Sequence, residues 1–261
     1  MLLMKLFISV VNHNHDEIIC SSDTLKNLSR QHVVVIRSNT KPTEGLKIYS
    51  KKSGIHLITG DTTLGFSSNN NAVFRFCKDE LNLNNDDYFL VLNPDVDITT
   101  DSISELLSLS NKYNSDISAI NLFKDRSFTE YDNSIRRYHK LSSLLKALLG
   151  YERSDIYNKD NIKKPININW AAGSFLLIKS SAYDKLGGFD EKYFMYFEDA
   201  DICTRANVLG LRVIYFPNIK AVHYASHMNR NVFSKHFIWY LMSAFRYHFK
   251  NTLRFTDKDN T

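Results

Sequence analysis

The feature that most limits what this chain can fold into is an alternation in its first part. Short β-branched runs are separated by stretches with helical spacing: "KLFISVV", then "DEIICSSDTLKNLSRQ", then "HVVVIRSN", and later "GIHLITG" and "DDYFLVLNPDVDI". Alternation of this kind predicts an α/β fold, with a mostly parallel mixed sheet flanked by crossover helices. In such sheets ligands bind beyond the carboxyl ends of the strands. The polar residues that close each apolar run are therefore the first functional candidates: Asn12 with His13, Ser38 with Asn39, and Asn93 through Asp97.

A chain of 261 residues with 43% hydrophobic content can bury a large core, as one large domain or two small ones. No internal repeat or low-complexity linker is visible, so one domain with a helical tail is the economical reading. The net charge of +5 suits an anionic partner without choosing among nucleic acid, lipid headgroups and phosphorylated substrates. Basic residues are scattered and no nucleic-acid motif is present, which ranks nucleic acid last. Cys20, Cys77 and Cys203 are widely spaced and form no CxxC pair, so they encode neither a disulfide framework nor a zinc site, and a reducing cytosol suits them. The opening "MLLMKLFISVVNHNHDE" carries Lys5, lacks a small-residue cleavage site and reads as a buried strand. No run reaches the length needed to cross a bilayer.

The expected organisation is a domain over residues 1–228 and a tail over 229–261. Within the domain, residues 121–165 are basic and polar around the apolar stretch "LSSLLKALLG", preceded by "SIRRYHK", and read as an insertion or acceptor-side segment. In the tail, Phe233, Phe237, Leu241, Ala244, Phe245 and Phe249 form the stripe of an amphipathic helix, with Arg246, Lys250 and Arg254 opposite. Such a helix either packs on the domain with a solvated basic side or lies on an anionic membrane surface.

Three stretches carry chemistry. In "VLNPDVD", Asn93, Asp95 and Asp97 alternate after a strand, so in extended backbone they point one way. Such oxygens either serve a divalent ion such as Mg2+ or Mn2+ or form a turn rich in Asn, Pro and Asp. "TLGFSSNNNA" joins a glycine turn to three amides at a helix start, which either cap the helix or bind a nucleotide. In "YFMYFEDADICTR", Glu198, Asp199 and Asp201 crowd beside an aromatic wall at the start of a helix. Arg205 stands four residues after Asp201, a spacing suited to an ion pair, which leaves Glu198 and Asp199 as the freer acids. A partly desolvated carboxylate facing a cation is suited to general-base work. His223 reads either as a third metal ligand or as a hydrogen-bonded core histidine. Arg136 and Arg137 either bind a pyrophosphate or lie in a solvated loop.

Taken together, "VLNPDVD", "LGFSSNNNA", "AAGSFLLIKSSAYDKLGGFDEKYFMYFEDADICTR" and "AVHYASHMNR" resemble the bacterial family-two glycosyltransferases of GT-A fold over nearly the whole chain. Within that family the likeness is to the O-antigen rhamnosyltransferases. The resemblance implies an inverting transfer of L-rhamnose from dTDP-L-rhamnose to a GlcNAc-pyrophosphoryl-undecaprenol acceptor in cell-surface polysaccharide synthesis. It further implies a peripheral protein on the cytoplasmic face of the inner membrane, held there through its tail. Asp95 takes the position of the family's metal-binding DxD-like motif, with Asn93 where the first Asp often stands, and Asp97 and His223 as further candidate ligands for Mg2+ or Mn2+. Asp199 matches the catalytic base of the "ED" motif. His13, Asn39, Asn70 and Asn93 match the nucleotide pocket, although Ser38 stands where many relatives have Asp. Trp170, Ala172 and Gly173 match the donor-sugar side, and Glu198, Asp201, Arg205 and Arg136 the acceptor or supporting side. The alternatives are another nucleotide sugar, or a catalytically idle nucleotide-sugar-binding subunit.

Overall fold

The computed structural model describes residues 4–138, 155–224 and 235–255. The first part runs β1 (Leu6–Asn12), α1 (Asp16–Ser21), α2 (Asp23–Leu28), β2 (Val33–Ser38), α3 (Glu44–Ser53), β3 (His56–Thr59), α4 (Phe66–Leu81) and β4 (Tyr88–Leu92). Then come β5 (Val96–Asp97), α5 (Thr100–Lys112), β6 (Ile117–Phe123), β7 (Ile135–Arg136), β8 (Ile166–Asn167), β9 (Trp170–Ala171) and β10 (Phe175–Lys179). Helices α6 (Ser180–Leu186) and α7 (Glu198–Val208), strand β11 (Val213–His223) and helix α8 (Lys235–Phe255) follow.

Among the described residues, nine strands form one sheet in the order β3-β2-β1-β4-β10-β6-β11-β5, with β8 paired to β11. β3, β2, β1 and β4 run parallel, as do β6 and β11. β10 enters antiparallel between β4 and β6. β7 and β9 form a separate antiparallel pair. The sheet is mixed and mostly parallel, as the alternation predicts.

The strands are apolar at consecutive positions because both faces are covered. Phe7, Val35, Phe89 and Val91 pack with Val73, Phe74 and Cys77 of α4 and with residues of α6, α7 and α8. Their neighbours Ile8, Val34, Ile36 and Leu90 point the other way, onto Ile19, Leu25, Leu46 and Leu106 of α1, α2, α3 and α5. Each fully buried side chain of this size contributes about 1.5–3 kcal/mol, so the two layers are the dominant stabilising term.

Two expectations meet a different outcome. Residues 121–123, placed at the start of the insertion, belong to β6, whose residues are buried throughout. The helix expected over "LSSLLKALLG" and the boundary at residue 228 lie outside the described residues. The second concerns α8. Ala244 and Tyr247 are buried against α7, whereas Phe245 and Phe249 of the expected packing stripe are exposed, with Ile238 and Met242 beside them. The supposedly solvated Lys250 turns inward, 2.8 Å from both Asp190 and Asp201. The physical reason is Asp201: it is fully buried on α7, and a buried carboxylate must be neutralised. Arg205 supplies one partner at 2.7 Å, through the four-residue spacing noted above, and Lys250 the other. The side chains of Phe233 and Arg254 lie outside what is described.

Candidate active site

β4 ends at Leu92, and the chain turns through Asn93 and Pro94 to Asp95. The Asn93 N–H donates to the Ser174 carbonyl at 2.9 Å, continuing the pairing of Leu92 with Phe175. The parallel register of β11 on β6 carries His223 to the same end of the sheet, where the Tyr224 N–H bonds the Asp95 carbonyl. His223 lies between two carboxylates: Nε2 is 3.5 Å from Asp95 Oδ1 and Nδ1 is 2.7 Å from Asp132 Oδ2. Burial opposes a charge on this imidazole, but the two carboxylates outweigh it and push its pKa up to about 9. Burial would likewise raise Asp95, yet the hydrogen bond and charge of His223, helped by His15, hold it below the usual carboxylate range.

Asp132 and Lys159 carry no signal in the sequence. Asp132 lies in a polar stretch without periodicity, and only the fold brings it to His223. Lys159 is buried beneath it and donates to the Asp132 carbonyl at 2.6 Å and to Ser134 Oγ at 3.0 Å. Asp97 goes elsewhere: it accepts from Thr24 Oγ1 at 2.7 Å and from Arg126 at 3.2 Å. Among the described residues no three His, Cys, Asp or Glu side chains gather as a metal cage. The Asp95–His223 pair fits a divalent ion of the Mg2+ or Mn2+ kind, because an oxygen and an imidazole nitrogen converge and such ions keep open positions for substrate phosphate and water. The Nδ1 contact to Asp132 is the outer partner that ligating histidines use to fix their orientation.

The second half of the site is the start of α7. Two non-glycine residues ahead of it, Tyr196 and Phe197, have positive φ of 72° and 65°. Left-handed backbone in bulky residues costs about 1–3 kcal/mol each and persists only where the surroundings enforce it. α8 supplies that enforcement: the Phe197 ring lies 5.4 Å from Tyr240 and 5.5 Å from Tyr247, and Ser243 bonds the Met195 carbonyl at 2.8 Å. The bend delivers Asp199 to the loop after β9, where its Oδ2 accepts from the Gly173 N–H at 3.0 Å and its Oδ1 from the Ala200 N–H at 2.8 Å. Glu198 is buried, with Oε2 lacking a hydrogen-bond partner. Burial first, and the adjacent Asp199 charge second, raise its pKa well above the usual carboxylate range. Two acids side by side are thus differentiated by environment.

The remaining candidates divide. Asn39 pairs with the Leu64 backbone through both its amide atoms at 2.8 Å, and its nitrogen lies 3.3 Å from His13, so it anchors the loop before α4 at the strand ends. Asn70 is fully buried between α4 and β1, accepting from Ser9 Oγ at 2.7 Å. It holds α4 on the sheet rather than lining an open pocket, because a helix start pressed onto a strand must satisfy its amides internally. Trp170 is buried, its indole N–H bonded to the Arg137 carbonyl and its ring 5.3 Å from the Arg136 guanidinium. Ala172 N–H bonds the Ser134 carbonyl, tying this loop to the segment that carries Asp132. Asn93, Gly173 and Asp199 are therefore gathered across the β4–β10 register, while Asp201 meets Lys250 of α8 and Arg205 bonds Asp201 and the carbonyls of Leu186 and Gly188.

No family model matches the chain. Rhamnosyltransferase WbbL of Escherichia coli (strain K12) is 34% identical over 245 residues, covering 92% of this chain and 91% of that protein. An N-acetylglucosaminyl-diphospho-decaprenol L-rhamnosyltransferase of Mycobacterium tuberculosis (strain CDC 1551 / Oshkosh) is 30% identical over 148 residues, or 54% of this chain and 48% of that one. Among solved structures, GalNAc-T7 with UDP, GalNAc and Mn2+ superposes with a TM-score of 0.59 at 14% identity, over 85% of this chain and 44% of that one. At that identity the likeness shows the fold alone.

Proposed function

The chain belongs to the rhamnosyltransferases among the family-two glycosyltransferases of GT-A fold, and on that premise we propose that it transfers L-rhamnose from dTDP-L-rhamnose, with inversion, to an N-acetylglucosaminyl-diphospho-polyprenol acceptor. The observation that carries the reading is the β4–β10 register, which ties the Asp95 turn to the Gly173 loop that holds Asp199. Asp199, oriented by two main-chain amides, accepts the proton of an acceptor hydroxyl as that oxygen attacks the anomeric carbon. The bond from that carbon to the diphosphate oxygen breaks on the opposite face, and dTDP departs. Glu198, its pKa raised by burial and by the neighbouring Asp199 charge, is disfavoured as a second negative charge beside the base. Asp95 and His223 are the residues that would hold a divalent ion, which supplies Lewis-acid stabilisation of the leaving diphosphate.

The exposed face of α8 supports a peripheral seat on the cytoplasmic face of the inner membrane. Ile238, Met242, Phe245 and Phe249 follow helical spacing and are 57%, 66%, 58% and 80% exposed, with Arg246 among them. No helix among the described residues is long and apolar enough to cross a membrane. The testing experiment is release of dTDP from dTDP-L-rhamnose with a lipid-linked N-acetylglucosamine diphosphate, with Mg2+ and with excess chelator. Release that depends on the acceptor is expected; release with other nucleotide sugars but not this one would move the assignment to another donor.

A further inference from the structure

Between α8 and the Asp190–Phe194 loop lies a groove of about 820 Å³ that the chemistry above does not use. Phe194 and Trp239, whose rings lie 4.7 Å apart, form part of its wall. Met242 and Phe249 line it as well, and the cations Lys192 and Arg246 stand at its edge, both exposed. We propose that this groove seats the isoprenoid chain of the diphospho-lipid acceptor, with the two cations meeting the diphosphate; the proposal rests on the rhamnosyl-transfer reading and locates the acceptor within it.

Three observations converge on that occupant. Its walls are amphipathic in the required sense: aromatic and aliphatic surface takes the hydrocarbon, and adjacent cations take the anionic head. It also opens onto the exposed apolar stripe of α8, because Met242 and Phe249 belong both to that stripe and to the groove, so a hydrocarbon chain can pass in from the side. Finally, one of its walls is joined through the backbone to the segment that carries Asp199. The Phe194 carbonyl accepts from the Phe66 N–H at 2.8 Å beside the loop that Asn39 anchors, and Tyr196 and Phe197 lead from there to Asp199. A flat bilayer contact has no need of a concave slot with an aromatic wall.

Trp239 makes the groove observable, since the only other tryptophan, Trp170, is buried elsewhere. Farnesyl diphosphate titrated into the full-length protein is expected to give a saturable change in tryptophan emission, with inorganic diphosphate and farnesol each at least about tenfold weaker. Met242→Glu and Phe194→Ala are expected to weaken farnesyl diphosphate by a similar factor while dTDP affinity stays unchanged. With a long-isoprenoid and a short-alkyl N-acetylglucosamine diphosphate as acceptors, the same variants are expected to raise KM for the long one alone. Vesicle binding without farnesyl diphosphate binding, or an equal rise in KM for both acceptors, would overturn the groove as a lipid-chain site. Should the wild-type protein transfer rhamnose to neither acceptor, the enzymatic reading fails, and the titration still decides the groove.

Discussion

Gly173 donates its backbone N–H to Oδ2 of Asp199 at 3.0 Å, from a loop in which the glycine is pressed against the Phe66 ring. A Cβ at this position would stand 3.2 Å from that ring and 3.7 Å from the Asp199 Cβ. The absence of a side chain therefore lets the loop approach Asp199 closely enough for its amide to fix the carboxylate.

Replacing Asp199 with Asn puts an NH2 group opposite one of two amide donors and removes the proposed proton acceptor. A positioned base contributes ~10²–10⁴ in rate, so kcat is expected to fall by that factor. Calorimetry should find dTDP affinity unchanged, and a variant with full turnover would end Asp199's candidacy.

Asp132 positions His223 through Nδ1. Losing such an outer partner commonly lowers metal affinity by ~10–100-fold, and Asp132→Asn is expected to do so for Mn2+ in a direct binding titration. Unchanged affinity would make the contact purely architectural.

The same histidine sets a pH dependence. Its folded pKa is raised from 6.5 to about 9, so its contribution to metal-free stability is complete below pH 6.5 and is lost as pH rises through about 9. The melting temperature of chelator-treated protein should fall across that window, and His223→Ala should flatten the slope. Glu198 acts in the same sense, since its folded pKa is also raised, and Glu198→Gln removes its share without disturbing the fold.

Lys250→Met leaves the buried Asp201 with Arg205 alone. Breaking a buried pair costs about 3–5 kcal/mol, and the remaining arginine places the expected loss in urea unfolding near the low end. The double variant with Asp201→Asn should recover part of it, whereas additive losses would argue against coupling.

On the outward face, Phe249→Glu is expected to weaken sedimentation with anionic vesicles and leave the melting temperature in place, since the ring is 80% exposed. Undiminished sedimentation would argue that the stripe does not touch lipid.

The strands and their carboxyl-end residues were legible because local chemistry governs them: a run such as "HVVVIRSN" has one economical place in an α/β sheet. The Asp201–Arg205 pair was legible for the same reason, by spacing along one element, whereas spacing alone left Asp95 open between a metal ligand and a turn and left Asp199 undistinguished from Glu198. The role of Asn70 was not legible, because a buried amide and a ligand-binding amide look alike until the Ser9 hydroxyl appears beside it. Asp132 and Lys250 were hidden because their partners lie far away in sequence, at His223 and Asp201. The orientation of α8 was left open between packing and an outward apolar face for that reason too. An apolar stripe normally faces inward; here Ala244 and Tyr247 do so, Lys250 turns in to the buried carboxylate of Asp201, and Phe245 and Phe249 face outward.

The clamp of Tyr240, Ser243 and Tyr247 on the bend at Met195–Phe197 has a practical meaning for anyone designing shorter versions of this chain. A cut ahead of α8 does more than remove the exposed apolar stripe: it takes away the contacts that hold the twisted backbone before Asp199 and one of the two cations paired with Asp201. A shortened version that keeps both contacts therefore extends through Lys250, and one stopped before α8 reports the loss of the clamp on α7 together with the loss of the exposed stripe.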